Sequence, residues 1–279
     1  MKRLLSLAVF AISVAFLAAG LSSHIVNAQD KDKAIDKDKK ADKDKAIDKD
    51  KKADKKKAEP KKAPELPPLK GKSETIKLFN GKDLDGWEGY TDLFTVKDGV
   101  IVAKNDKPLK VSTYLFTKQK FTDFRLIFSA KLGEINEMHS GVALWGKRIT
   151  APDKSVTDAK KDHAEYTYQG HLVMFPSGWG LYDLYRRAGA INPPAEIRNV
   201  AAKAGKQHGW NDMEILAQGN RIRLAVNGKL VLDWREPDPK YIEAGPIALQ
   251  LHSNGKAQEV LFKGLEVTTF PEDNLLTVK

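Results

Sequence analysis

From Phe124 to Leu132 the chain alternates strictly. Phe124, Leu126, Phe128, Ala130 and Leu132 carry one apolar side, and Arg125, Ile127, Ser129 and Lys131 stand between them. A period of two describes a strand with one buried face. Ile222, Leu224 and Val226 repeat the pattern against Arg221, Arg223 and Ala225. Asn227-Gly228 follows, then the apolar run KLVLDW. Asn-Gly between two such runs predicts a hairpin, because both turn residues must accept positive φ. Further strands are predicted at 76–79, 94–96, 100–103, 113–116, 141–145, 169–175, 181–187, 212–217, 246–252 and 259–268. Asn80-Gly81, Asp85-Gly86, Asp98-Gly99, Gly219-Asn220 and Asn254-Gly255 supply the turns. Long helical periodicity is absent. Many short strands with this punctuation predict an all-β fold, a β-sandwich or jelly roll.

The pattern changes completely before residue 71. MKR opens the chain, an apolar stretch runs from Leu4 to Leu21, and Val26-Asn27-Ala28 offers a small-residue cleavage site. Those features predict a secretory signal peptide over residues 1–28, with an uncleaved membrane anchor as the competing reading. Cleavage would leave no stable membrane insertion and a secreted, periplasmic or cell-envelope protein. Residues 30–59 repeat DKDKAI/DKDKKA with a six-residue period, and Pro60, Pro64, Pro67 and Pro68 close the segment. Only Ile35 and Ile47 are sizeable apolar groups there, too little surface to offset ordering entropy. Residues 29–70 therefore read as a disordered charged linker spanning on the order of 35 Å, and residues 71–279 as the folded domain.

Charge follows the same division. Of the net +10, Lys2, Arg3 and the 16 Lys against 11 Asp plus Glu of residues 30–70 account for +7, leaving +3 for residues 71–279. So balanced a domain has no basic field of the kind nucleic-acid binding needs, and that class of partner is excluded. No cysteine occurs, so disulfides contribute nothing and an ordinary packed core must suffice.

Several motifs then appear in a telling order: LFNGKDLDGW (78–87), FTVKDGVIVA (94–103), FTDFRLIFSAKL (121–132), HSGVALWGKR (139–148), GWNDMEILAQGNRIRLAVNGKLVLDW (209–234) and GPIALQLHSNGKAQEVLFKGLEV (245–267). Over about residues 74–270 this resembles the 3-keto-disaccharide hydrolase domain family. The resemblance implies a concanavalin-A/laminin-G-like jelly roll acting on an oligosaccharide or glycoside. One departure stands out. Where members carry an E-x-Q-[IV] strand, this chain reads YQGHLVMF, with Gln169 in the amide role and His171 where an acidic or amide group is expected.

Alternation suggests which groups reach a ligand. With Leu172 and Met174 facing the core, Gln169 and His171 face out. With Ile247, Leu249 and Leu251 inside, Gln250 and His252 face out. With Val142 and Leu144 inside, Gly141, Ala143 and Trp145 face out, with His139 just before them. Trp179, Tyr182 and Tyr185 serve either as core or as a stacking floor for a sugar ring. No paired carboxylates of the kind conventional glycoside hydrolysis needs are recognisable. A 3-keto sugar needs something else: one base to remove the acidified C2 hydrogen, and an electrophile to hold the enolate. The assignment is His171 or His252 as base, with Arg186 or a bound divalent metal ion as stabiliser. His139, His171 and His252 form a three-histidine metal site only if the fold brings them together. A non-catalytic carbohydrate-binding, lectin-like module would use the same face, and a purely structural cell-surface protein would leave it bare.

Overall fold

The computed structural model describes residues 64–135, 138–176, 179–187, 189–191, 200 and 203–279. The expected signal peptide and the Lys/Asp repeat lie outside the described residues. In chain order the strands are β1 (Glu74–Lys77), β2 (Trp87–Glu88), β3 (Phe94–Lys97), β4 (Val100–Asn105), β5 (Thr113–Phe121), β6 (Phe124–Leu132), β7 (Ser140–Ile149) and β8 (Thr167–Phe175). They continue with β9 (Leu181–Leu184), β10 (Gly189–Ile191), β11 (Asn211–Gln218), β12 (Arg221–Val226), β13 (Lys229–Arg235), β14 (Gly245–Leu251) and β15 (Gln258–Thr269).

Two antiparallel sheets result. The first runs β13-β12-β11-β6-β15-β4-β3, with β1 added on β15; the second runs β10-β9-β8-β7-β14-β5-β2. The period-two runs explain the sandwich. Phe124, Leu126 and Phe128 of β6, Ile215 of β11 and Phe262 of β15 meet Val142 and Leu144 of β7 and Leu249 of β14 in one core between the sheets. The predicted hairpin joins β12 to β13, with Asn227 at φ 49° and Gly228 at φ 80°. Strands β2 and β10 are too short to show a period and were not expected.

The first sheet is polar on its outer face, and the chain's own segments cover it. Glu214, fully buried, accepts bonds from the backbone N–H groups of Leu276 and Thr277 and from Arg125 Nε at 2.9 Å. Gln218 Nε2 donates to the carbonyl of Pro271 at 2.7 Å. Residues 64–70, expected as the end of the linker, are bound as well. Asn220 donates to the Pro64 carbonyl at 2.6 Å and accepts from Leu66 N at 3.1 Å, and Asp123 accepts from Leu69 N at 2.7 Å. Buried amide and carboxylate partners make residues 64–70 a strap fixed to the first sheet.

The second sheet is apolar on both faces, which decides where its histidines go. Its outer face carries Tyr114, Phe116, Tyr168, Leu172 and Met174 as a second buried cluster. The rings of Phe116 and Tyr168 stack at 5.6 Å and 16°. Val173 and Phe175 face the central core, and His171 shares their parity. The expected facing of β8 is therefore corrected by one residue: Leu172 and Met174 point outward, and His171 points inward.

Trp145 is corrected too. The β7–β8 register slips between Leu144 and Lys147, and Trp145 takes φ 51° there. This bulge turns the indole into the core, where it is fully buried and donates from Nε1 to the Thr122 carbonyl at 2.7 Å. Gly146 permits the bulge: a Cβ on it would lie 2.0 Å from the Gln169 carbonyl oxygen.

Candidate functional site

The residues singled out by the sequence divide into two groups on opposite faces of the second sheet. The inward group is built around His171, which is fully buried. Its Nε2 lies 2.6 Å from Glu236 Oε2, and Arg186 Nη2 lies 2.8 Å from its Nδ1. Guanidinium has no lone pair to offer, so Nδ1 accepts and Nε2–H donates to Glu236. That fixes one neutral tautomer. Arg186 Nε and Arg187 Nε both donate to Asp183, and Arg187 grips Glu236 with bonds of 2.8 Å to Oε1 and 2.6 Å to Oε2. Two guanidinium charges thus meet two carboxylates around a neutral imidazole. Burial pushes the Glu236 carboxyl up, but the bonds from His171 and Arg187 outweigh it and hold the pKa at about 2. Burial lowers the pKa of His171, against the pull of Glu236. Trp145 and Trp234 close over the ring at centroid distances of 5.6 and 5.5 Å.

Such a cluster holds structure and has no room for a substrate. His171 and Arg186, expected as base and stabiliser, are withdrawn from those roles. So is the three-histidine metal site, because His171 is committed to Glu236 and Arg186. Among the described residues no group of three or more His, Cys, Asp or Glu could hold a metal ion.

The outward group lines an open cavity of about 370 Å³, within the range of small-molecule sites, about 300–1,000 Å³. Leu172 and Met174 of β8 and Tyr182 and Leu184 of β9 give it an apolar wall. His139, Tyr114, Gln250, His252, Ser112, Ser253, Lys110, Asp153 and Tyr185 supply the polar part. His139 precedes β7 and His252 follows β14, neighbouring strands of the sheet, so their rings meet edge-on at 4.6 Å. The Nδ1 of His252 contacts the carbonyl of Ser253. A carbonyl only accepts, so Nδ1 carries the proton and Nε2 keeps a basic lone pair. Burial lowers the pKa of His252, with the Ser253 bond opposing it. Burial, reinforced by His252, brings His139 down to about 4.

Two buried acceptor-capable atoms in this wall lack a protein partner: Gln250 Oε1 and His139 Nδ1. The amide of Gln250 is oriented by donation to the Tyr114 hydroxyl at 3.1 Å and to Ser112 Oγ at 3.4 Å. Trp179 is 44% exposed and stands beside the cavity, its ring 4.7 Å from that of His139.

The sequence-derived set thus separates cleanly. His139, Tyr182, Tyr185, Gln250 and His252 come together, with Trp179 flanking them. Trp145, His171 and Arg186 lie behind the sheet. Gln169 does not line the cavity; its amide holds the Tyr185 carbonyl at 2.9 Å. Sequence reasoning missed Glu236, which lies 65 residues from His171 with no periodic cue. It also missed Tyr114 of β5, a strand read only for its apolar run, and Ser112 just before it.

The model of the family described as 3-keto-alpha-glucoside-1,2-lyase-like domain matches residues 74–268. No curated protein matches the sequence. Among solved structures, a candidate glycosyl hydrolase from Parabacteroides distasonis is similar, with 18% identity and a TM-score of 0.46, over 70% of this chain and 98% of that one. The carbohydrate-binding module CBM66 from Bacillus subtilis matches at 13% identity and TM-score 0.42, over 65% and 94%. The β-glucanase of Bacillus licheniformis matches at 13% identity and TM-score 0.44, over 73% and 100%.

Proposed function

The chain belongs to the 3-keto-alpha-glucoside-1,2-lyase-like domain family, and from that premise we propose that the outer cavity cleaves 3-keto-glycosides by proton abstraction and elimination, with His252 as base. The observation that carries this reading is the contact of His252 Nδ1 with the Ser253 carbonyl, which leaves Nε2 as the basic nitrogen in a cavity whose described lining holds a single carboxylate, Asp153. A ketone at C3 acidifies the C2 hydrogen. Nε2 takes that proton, the C2–H electron pair forms the enolate, and the C1–O bond then breaks with its electrons leaving on the aglycone oxygen. The aglycone takes up a proton, leaving a C1=C2 enone, and addition of water at C1 completes net hydrolysis.

The hydroxyls of Ser112, Tyr182 and Ser253 are cavity donors for the enolate oxygen, the role first expected of Arg186, and Lys110, ion-paired with Asp162 at 2.8 Å, adds positive charge to the same lining. His139 has its charged form suppressed, so a neutral imidazole stands beside the base without competing for its proton electrostatically. From the MKR start, the apolar run and the small-residue exit, we also propose export from the cytoplasm. N-terminal sequencing of the mature protein beginning after Ala28 would support that, and an intact Met1 would refute it.

The test compares a 3-ketoglucoside with its unoxidised parent. Aglycone release from the keto sugar alone, lost in H252A, is the expected result. Saturable binding without release would instead favour a carbohydrate-binding module. Release from the parent glucoside would demand a carboxylate pair and refute the elimination mechanism.

A further inference from the structure

Tyr185 combines three properties that seldom occur together. It is a bulky aromatic with φ 55°, in the left-handed region. It is 37% exposed. And it lines the cavity. Left-handed backbone is costly for large side chains, and Gly or Asn would occupy an ordinary turn here more cheaply. The surroundings hold Tyr185 in place from three directions. Gln169 Nε2 grips its carbonyl at 2.9 Å. The next two residues, Arg186 and Arg187, are tied to Asp183 two residues before it. Through Glu236 and His171 that tie extends into the sealed cluster. Strain held by its surroundings at a cavity rim points to a role for the strained side chain.

Trp179 stands just before β9 and Tyr185 just after it. Met174, Leu172, Tyr182 and Leu184 form the apolar floor of the cavity, with Tyr185 on its lining. The strand between them, Leu181–Leu184, alone spans roughly 10 Å at about 3.3 Å per residue. That exceeds one sugar ring. Resting on the reading of this cavity as a sugar site, we propose that Tyr185 is a specificity-determining platform for a second sugar ring, so that the ligand is an oligosaccharide lying along β9. Its reactive ring sits at the His139/His252 end, and its continuation stacks its C–H face on Tyr185. The inward ion cluster then has a functional consequence: it positions Tyr185.

The test uses the full protein with methyl 3-keto-glucoside and the 3-keto derivatives of a glucose disaccharide and trisaccharide. In the wild type kcat/KM rises with chain length. Y185A loses about tenfold more on the trisaccharide than on the monosaccharide, the equivalent of one lost ring contact. Y185F keeps the length advantage. Y185G loses it while its Tm stays at or above the wild-type value, because glycine tolerates the left-handed backbone. A purely structural tyrosine would instead lower the Tm of Y185G and affect all three sugars equally. Equal wild-type efficiency on one ring and three overturns the proposal. If no keto sugar is turned over, the catalytic reading fails separately. Calorimetric titration with unoxidised glucose trisaccharide against methyl glucoside then decides: tighter trisaccharide binding that Y185A abolishes supports the platform, and no length preference overturns it.

Discussion

His171 and His252 occupy opposite faces of one sheet, and what closes over each accounts for most of their difference. Behind the sheet, His171 has both ring nitrogens committed and its charge partners balanced, so it gains rigidity and forfeits chemistry. In front, His252 has one nitrogen committed and the other available beside a cavity. Both have their pKa lowered first of all by burial. Burial alone therefore does not mark a catalytic histidine in this molecule. The proposed base is set apart by a spare lone pair beside a cavity.

Substitutions can pull the two clusters apart. Removing the base should have the largest effect: H252A lowers kcat/KM on a 3-ketoglucoside by about a thousandfold, within the usual reach of general base catalysis, while its urea midpoint stays near wild type. A loss of folding with retained turnover per folded molecule would reverse the assignment of the two clusters. E236A should do the opposite. It strands Arg187 and His171 in a dry site and destabilises the domain by about 3–5 kcal/mol, read by chemical denaturation, with the chemical step preserved in the molecules that remain folded.

Acid separates the clusters by range. The three histidines His139, His171 and His252 have folded pKa values below the ordinary 6.5, so the unfolded chain binds more protons as pH falls below that value, and stability drops. The His139 contribution is complete above 6.5 and disappears as pH falls toward about 4. The Glu236 contribution is complete above 4.5 and disappears only toward about 2. Urea unfolding at pH 7, 5.5 and 4.5 should show H139N losing less stability than wild type, by at most about 1.4 kcal/mol per pH unit. An identical slope in both proteins would show that His139 titrates normally. The smallest effect is expected of Q169A, which frees the Tyr185 carbonyl. A loss of about 1 kcal/mol, with KM for longer saccharides rising more than kcat falls, would show that the two clusters communicate through this loop.

The sandwich could be read from the sequence because its first sheet obeys the simple rule: Arg125, Glu214 and Arg223 alternate with buried Phe124, Ile215 and Leu224, so one face announces itself. The second sheet breaks that rule. In β8, Leu172 and Met174 are as apolar as Val173 and Phe175, because aromatic residues of β5 and the rest of β8 cover the outer face. Parity then had no polar reference, and His171 was assigned to the wrong side. Along β14 and just past its end, Gln250 and His252 against Ile247, Leu249 and Leu251 gave that reference, and both face the outer cavity as expected. Trp145 failed for another reason: a bulge inverts alternation locally, and only the nearby Gly146 and Gly170 hinted at it. Glu236 could not be seen at all, since a partner 65 residues away leaves no trace in a period of two.

The straps raise a mechanical consequence. Residues 64–69 and the segment from Pro271 to Thr277 are both fastened to the eight-stranded sheet, through Asn220, Asp123, Gln218 and Glu214. Tension applied at either terminus of the folded body is therefore carried by that sheet and its clamps. The seven-stranded sheet, which bears the cavity, lies outside the load path. A domain wired in this way can be pulled, dragged by flow or held on a taut line while the shape of its cavity is left undisturbed.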